Sequence, residues 1–356
     1  MIAACIVARD AAALLPECIA SVRESAGEVL LVDDGSTDDT VAVARSEGAR
    51  IVASDAKSHE LARNAYLEAA TAEWILVIDA DERLTTDVRP LVERAGSEVG
   101  GFALERYDWI GGGRWASTRL VRLFRRAPDV RYFASTAHAA VAPAIARAGG
   151  RVALAAHGAL HHLDALLDRD HAAKRADMRR RLEAQRGLPG APPILRCFYA
   201  LELFALEDDR AADAELAAAL ASDPRIEPIA SLFRAQHHRA RARFDEAERL
   251  ARRALGLASD VFRGRDSAWA VLADVEDRQG RVEDAIATTR AAIAESPAVA
   301  SHHLNLFALT GDERARDEAL RLNPWIDSPR VLAPGARPSI FVQQDALLER
   351  YRPRPA

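Results

Sequence analysis

Three carboxylates stand within four residues at Asp79-Ala80-Asp81-Glu82, directly after the apolar run Trp74-Ile75-Leu76-Val77-Ile78. Acids this close repel one another unless a cation or solvent neutralises them. Hard oxygen ligands suit Mn2+ or Mg2+, and such ions often keep only one or two protein carboxylates while bridging to substrate phosphates. A solvated acidic loop is the other reading, and a lone DxD is too short to decide. A second cluster, Asp33-Asp34-Gly35-Ser36-Thr37-Asp38-Asp39-Thr40, follows Val29-Leu30-Leu31-Val32. A carboxylate at a strand end can accept hydrogen bonds from a base N–H or ribose hydroxyls, and Gly35 lets the backbone turn beside a ligand. Ser36, Thr37 or Asp38 could equally cap the next helix. Capping does not call for two adjacent carboxylates before it.

The elements around these clusters alternate. Strands are predicted over 2–7, 29–32, 50–53 and 74–78, and helices over 11–24, 40–46 and 61–70. Apolar strands alternating with helices argue for a parallel, doubly wound sheet, in which ligands bind at the carboxyl ends of strands. Both acidic clusters sit at such ends.

Taken together, and with Ala62-Arg63-Asn64 between them, the clusters resemble the family-2 glycosyltransferases of the GT-A fold. The match runs in order through Cys5–Val7, the Leu14–Val22 helix, Val32–Thr40, Ala62-Arg63-Asn64 and Trp74–Glu82. The resemblance implies an α/β, GT-A (Rossmann-like, mostly parallel sheet) N-terminal domain and a glycosyltransferase of hexosyltransferase type. It implies a nucleotide-sugar set of Ala8, Asp33, Asp34, Arg63, Asp79 and Ala80, with Arg63 facing the nucleotide. It also implies a divalent metal, Mn2+ or Mg2+, on the donor diphosphate. Asp81 is its expected direct ligand, Asp79 touches ribose or metal, and His157 of His157-Gly158 completes the site. A histidine closing a carboxylate site is chemically reasonable. His161-His162 nearby leaves open which imidazole serves.

The likeness continues through Gly101–Arg106 and Thr118–Arg126, which resemble the family's acceptor-side strand and its "RLFR" strand. Then the chain departs from it. Related enzymes joined to TPR-like helices carry a histidine followed by glutamate shortly afterwards, a natural base for the acceptor. Here the stretch reads Ser135-Thr136-Ala137-His138-Ala139, and Ala139 cannot act as a base. The expected base is then His138, Glu105 or Asp108, or else the acceptor is a thiol, which needs less help because its pKa is lower.

From about residue 165 strand signals vanish, and Ala, Arg, Glu and Leu recur with helical spacing. Arg243-Phe244-Asp245-Glu246-Ala247 is echoed 38 residues later by Arg281-Val282-Glu283-Asp284-Ala285. That offset suits a helix–turn–helix repeat. Trp269, Leu272, Ala273, Gly280, Ala285, Ala292 and Pro297 resemble one tetratricopeptide (TPR) unit; a weaker unit covers 228–259, and degenerate ones 195–224 and 300–324. The expected layout is a GT-A domain over 1–165, a helical connection and loop over 166–193, an all-α TPR-like helical repeat domain over 194–324, and a Pro/Arg-rich arm over 325–356. A generic alanine-rich bundle is the competing account of the helices.

The bulk numbers narrow the partners. A net charge of -5 gives no basic footprint, so nucleic acid is not an expected partner. Three cysteines without a CxxC pair fit a reducing compartment. No run approaches the roughly 18 apolar residues of a membrane span, and Met1–Ala8 lacks the basic start of a signal peptide. A cytoplasmic protein is expected. Its partners would be a nucleotide-sugar donor (a UDP-sugar by family default), a peptide, protein or carbohydrate acceptor, and a protein or second copy on the helical repeats. The rival from another class is a non-catalytic nucleotide-sugar-binding scaffold. A nucleotidyltransferase is disfavoured, because no Gly-rich basic loop lies near Ile6–Leu15.

Overall fold

The first apolar run forms β1 (Ile2–Ala8), and all seven of its residues are buried. Successive side chains of a strand point to opposite faces, so a strand apolar throughout must be covered on both. Ile2, Ala4, Ile6 and Ala8 enter one core with α1 (Leu15–Val22), while Ala3, Cys5 and Val7 enter a second with α3 (His59–Ala69). The structure is a computed structural model and describes residues 1–54, 59–111, 114–132, 141–164, 167, 170–257 and 264–326. The chain divides into two compact units, residues 1–107 with 119–164, and residues 108–118 with 165–356.

In the first unit β2 (Glu28–Asp33), α2 (Thr40–Ser46), β3 (Arg50–Val52) and β4 (Trp74–Val77) complete the alternating pattern. β3, β2, β1 and β4 lie side by side in that order and run parallel. The register sets Ala8 beside Asp33 and Cys5 beside Val77, so the carboxyl ends of β1, β2 and β4 share one edge of the sheet. Beyond β4 the sheet changes sense. β5 (Glu82–Leu84), β6 (Val99–Gly111), β7 (Arg114–Arg125) and β8 (Arg151–His162) extend it in the order β4-β7-β6-β8-β5, with α4 (Arg89–Glu93) between β5 and β6 and α5 (Ala142–Arg147) between β7 and β8 along the chain. β7 is antiparallel to β4, and β8 to β5. The whole is an eight-stranded mixed sheet whose parallel half carries the acidic strand ends.

One local expectation is corrected, and one strand was not expected. The helix expected from Ala11 begins at Leu15, because Pro16 occupies its first turn, where a missing N–H costs nothing. Ala11–Leu14 instead form a turn closed by Leu14 N–H on the Ala11 carbonyl at 2.9 Å. β8 gave little strand signal because Ala153, Ala155, Ala156 and Ala159 supply none of the β-branched or aromatic bulk that marks strands.

The second unit is helical. After α6 (His171–Arg186) and the Gly187–Pro193 loop come α7 (Ile194–Ala205), α8 (Asp209–Ser222), α9 (Glu227–Ala240), α10 (Phe244–Gly256), α11 (Arg265–Arg278), α12 (Val282–Glu295), α13 (Ala300–Thr310) and α14 (Glu313–Leu322). Neighbours pack as the pairs α7/α8, α9/α10, α11/α12 and α13/α14, with α10 on α11 and α12 on α13. Each pair turns through one residue of left-handed backbone, namely Glu207, Ala242, Gly280 and Gly311. Buried Arg239 of α9 is ion-paired with buried Asp274 of α11, and Arg252 of α10 reaches Glu276 of α11 at 2.8 Å, so charged contacts join successive pairs. No helix among the described residues is long and apolar enough to cross a membrane. The arm expected over 325–356 lies outside the described residues from 327 onward.

Candidate functional site

At the end of β2, most of the acidic cluster is spent on holding two loops together. Asp33 accepts from Ser36, at 2.5 Å from its hydroxyl and 3.3 Å from its N–H. The Ser36 hydroxyl oxygen accepts from Asp10 N–H at 3.0 Å, and Asp10 accepts from Thr37 N–H at 2.7 Å. Asp38 accepts from Ala12 N–H at 3.1 Å and from both the N–H and the hydroxyl of Thr40, whose oxygen accepts from Ala11 N–H at 2.7 Å. Ser36, Thr37, Asp38 and Thr40 therefore stitch the 10–12 turn to the 33–40 turn. This is more than a helix cap, and Asp39 at the cap position makes no capping bond. Hydrogen bonds from Thr37 N–H hold the Asp10 carboxyl below its usual value, and the Thr40 hydroxyl does the same for Asp38. Asp34 is half-buried at the strand end, and its N–H donates to the Ala8 carbonyl at 2.8 Å. Gly35 has φ +85°, with no atom within 4 Å of where a Cβ would sit. Sequence reasoning gave Asp10 no part in the site; its role shows only in the hydrogen bonds that tie it to Ser36 and Thr37.

At the end of β4, Asp79-Ala80-Asp81 turns the chain into β5. Glu82 N–H donates to the Asp79 carbonyl at 2.8 Å, and the Glu82 carboxylate takes Asp79 N–H at 3.0 Å. The Ala80 carbonyl accepts from Arg83 at 2.9 Å, and Cys18 Sγ lies 3.5 Å from the Asp79 carbonyl. Leu163 N–H donates to the Asp81 carbonyl at 2.9 Å, which pins the turn to the end of β8.

The three carboxylates do not share one fate. Asp79 is gripped from two sides, by Arg63 at 2.9 Å and Arg122 at 2.7 Å. Arg122 also reaches Glu82 at 2.6 Å, and Arg106 approaches Glu82 at 3.5 Å. Burial pushes the Asp79 carboxyl up, but Arg122 and Arg63 outweigh it and hold the group well below the usual carboxylate range. Burial dominates for Glu82, which no solvent reaches, and its pKa is raised despite Arg122. Arginine thus supplies charge that the sequence argument assigned to a cation, and acid density at this turn does not by itself require a metal. Asp81 differs: its Oδ1 lies 3.6 Å from His162 Nε2, and both side chains are about nine-tenths enclosed.

Two long-range partners come from topology. Glu82 pairs with His162 across β5 and β8, which is what delivers the imidazole to Asp81. His157 sits five residues earlier on β8, about 16 Å away at strand spacing, so the structure does not bring it to the DxD turn. His161 stacks on Tyr107, centroids 5.3 Å apart. Arg63 lies 5.7 Å from the Tyr132 ring, and Asn64 exchanges two 2.9 Å hydrogen bonds with the Tyr132 backbone. The Nε atoms of Arg63 and Arg122 are buried with no hydrogen-bond partner among the described residues. Glu105 and Asp108 are buried on β6, with Asp108 falling in the second unit. His138 and Ala139 lie outside the described residues.

Among the described residues no three His, Cys, Asp or Glu side chains converge as a metal-holding group. One carboxylate and one imidazole, Asp81 and His162, do converge. That donor pair fits a divalent ion whose other ligands are diphosphate oxygens and water.

Residues 3–149 match the family described as Glycosyl transferase family 2. A TPR repeat-containing protein of Synechococcus elongatus is 40% identical over 133 residues, covering 36% of this chain and 32% of its own length. An uncharacterised glycosyltransferase of Rickettsia felis is 35% identical over 92 residues, covering 26% of this chain and 32% of its own. The chain thus spans about a third of the length of these two relatives. Among solved structures, glucosyl-3-phosphoglycerate synthase from Mycobacterium tuberculosis, in complex with Mn2+, UDP and glucosyl-3-phosphoglycerate, is 17% identical with a TM-score of 0.36, over 54% of this chain and 82% of that one. Residues 3–149 of this chain make up a glycosyl transferase family 2 domain.

Proposed function

We propose that this chain is a metal-dependent glycosyltransferase that moves a sugar from a nucleoside-diphosphate donor to an acceptor with inversion. The observation that carries the reading is the approach of His162 to Asp81 at 3.6 Å, on the same sheet edge as the Asp33-Asp34 strand end. In this proposal Ala8, Asp33 and Asp34 border the nucleoside, and Arg63 with Asp79 and Ala80 borders the diphosphate. Asp81 and His162 hold Mn2+ or Mg2+, which supplies positive charge to the departing diphosphate. Arg63 adds a fixed cation beside it, already oriented by Asp79. On the acceptor side the base comes from Glu105, Asp108 or His138.

The same proposal places the functional segments at 1–165, 166–193, 194–324 and 325–356. It gives the helical pairs the task of holding a peptide, protein or carbohydrate acceptor, or a second copy of the chain. The test is UDP release from a UDP-sugar panel with Mn2+. Turnover abolished by Asp81→Ala supports the enzyme. Donor binding without turnover across a broad acceptor panel would sink it in favour of a nucleotide-sugar-binding scaffold.

A further inference from the structure

Glu82 follows the Asp79–Asp81 pair directly, and its carboxylate is wholly enclosed. One oxygen accepts Asp79 N–H at 3.0 Å, and the other accepts from Arg122 at 2.6 Å and from Arg106 at 3.5 Å. The same Arg122 nitrogen donates to the Asp79 side chain at 2.7 Å. Glu82 therefore holds the backbone of Asp79 while Arg122 holds its carboxylate, and the two holders are bonded to each other. The ring they close fixes the first half of the turn whose second half presents Asp81. Glu82 is also the residue of β5 that pairs with His162.

A buried ion pair rarely adds stability over apolar residues of similar volume, so the fold alone gives little reason for these charges. Groups that orient metal ligands commonly change metal affinity by about 10- to 100-fold when removed. We propose that Glu82 and Arg122 are positioning residues, which set the Asp79–Asp81 turn so that Asp81 meets His162. This rests on the metal-site reading above. Both residues act through their neighbours and neither is assigned to the cation.

The experiment compares Glu82→Leu, Arg122→Met, the Glu82→Leu/Arg122→Met pair and Arg122→Lys with the full-length protein. Mn2+ binding is followed by the loss of its free-ion electron paramagnetic resonance signal, with UDP, GDP or dTDP present, and melting temperature is read alongside. Glu82→Leu takes from buried Arg122 one of its two carboxylate partners, and Arg122→Met leaves buried Glu82 with the longer 3.5 Å contact to Arg106, so each single variant is expected to melt lower. The double variant is expected to regain much of that loss. Metal affinity is expected to stay down by about tenfold or more in all three, following the orienting role. This split between recovered stability and unrecovered binding is something a purely structural pair would not produce. A double variant that regains both, with Mn2+ affinity within about twofold of wild type on the same scale, overturns the proposal. If the double variant does not melt cooperatively, Arg122→Lys decides. The lysine stem is shorter, so its ammonium stops short of the position from which one Arg122 nitrogen meets both carboxylates; an affinity loss beyond about fivefold supports the role and wild-type affinity overturns it. A wild-type protein that melts cooperatively but binds Mn2+ with none of the three nucleotides removes the metal-site reading itself, and this proposal with it.

Discussion

At the residue scale, the DxD turn separates carboxylates that look interchangeable in sequence. Asp79 is held by two guanidinium groups, Glu82 is enclosed, and Asp81 meets an imidazole. If His162 completes the cation site, His162→Ala is expected to weaken Mn2+ binding by about tenfold or more, the loss of one of two protein ligands. His157→Ala is expected to leave it unchanged. Titration calorimetry on both variants checks this, and equal losses would rule out the assignment. A second expectation concerns pH. The folded Asp79 carboxyl is held below its ordinary value, so it binds a proton less tightly than in the unfolded chain. Its pairing therefore stabilises the fold in full above the unfolded value of about 3.9 and is lost progressively as pH falls from there through the lower folded value. Asp79→Asn is expected to melt below wild type at pH 7 and at pH 4, with the gap narrowing only in stronger acid. Thermal melts across that range test it; a gap already closed at pH 4 would contradict the arginine grip. The residues legible in sequence were those that sit near each other along the chain: Asp33, Asp34, Asp79 and Asp81. Arg122 and His162 lie 43 and 81 positions from their partners, and only strand pairing brings them in. His162 was visible as an alternative imidazole, and nothing local favoured it over His157.

At the element scale, the parallel half of the sheet was readable because β1, β4 and the Leu30–Val32 centre of β2 are buried on both faces and must be apolar. The antiparallel half was harder. β8 is written largely in alanine and histidine, and its existence follows from what it pairs with. The helical pairs were readable through their echo, and the structure gives that echo a physical cause. Gly280 turns α11 into α12 with φ +76°, and Ala242 does the same between α9 and α10 with φ +55°, 38 positions earlier. Left-handed backbone costs a residue with a Cβ about 1–2 kcal/mol. Nothing lies within 4 Å of a Cβ built on Gly280, so Gly280→Ala meets no steric clash and carries only the backbone term. It is expected to cost about 1 kcal/mol. Ala242→Gly removes that strain but adds freedom to the unfolded chain, for a gain of about 0.5 kcal/mol. Urea unfolding of both variants reads the two signs, and a stabilising Gly280→Ala would show that the turn is not held left-handed in solution.

At the scale of the whole molecule, the two compact units draw on different physics: one is a mixed sheet with its acids at a strand edge, the other a stack of helical pairs. Chains of more than one unit often unfold in more than one step. Ligand binding stabilises only what it binds, by about 2.7 kcal/mol at a hundred times Kd. If the nucleotide and the cation sit where Asp34, Arg63 and Asp81 place them, saturating nucleoside diphosphate with Mn2+ is expected to raise the calorimetric transition of the sheet unit. Gly280→Ala is expected to lower the transition of the helical unit. Used together, the two perturbations assign each transition without separating the units. That matters here because residues 108–118 group with the helices while the rest of β6 and β7 groups with the sheet, so no single cut frees one from the other. A calorimetric trace in which ligand and substitution move the same transition by the full amount would mean that the chain unfolds as one cooperative body. The stability of the donor site would then be inseparable from that of the helical pairs, and every melting comparison made on Asp79, Glu82 or Arg122 would have to be read as a property of the whole chain.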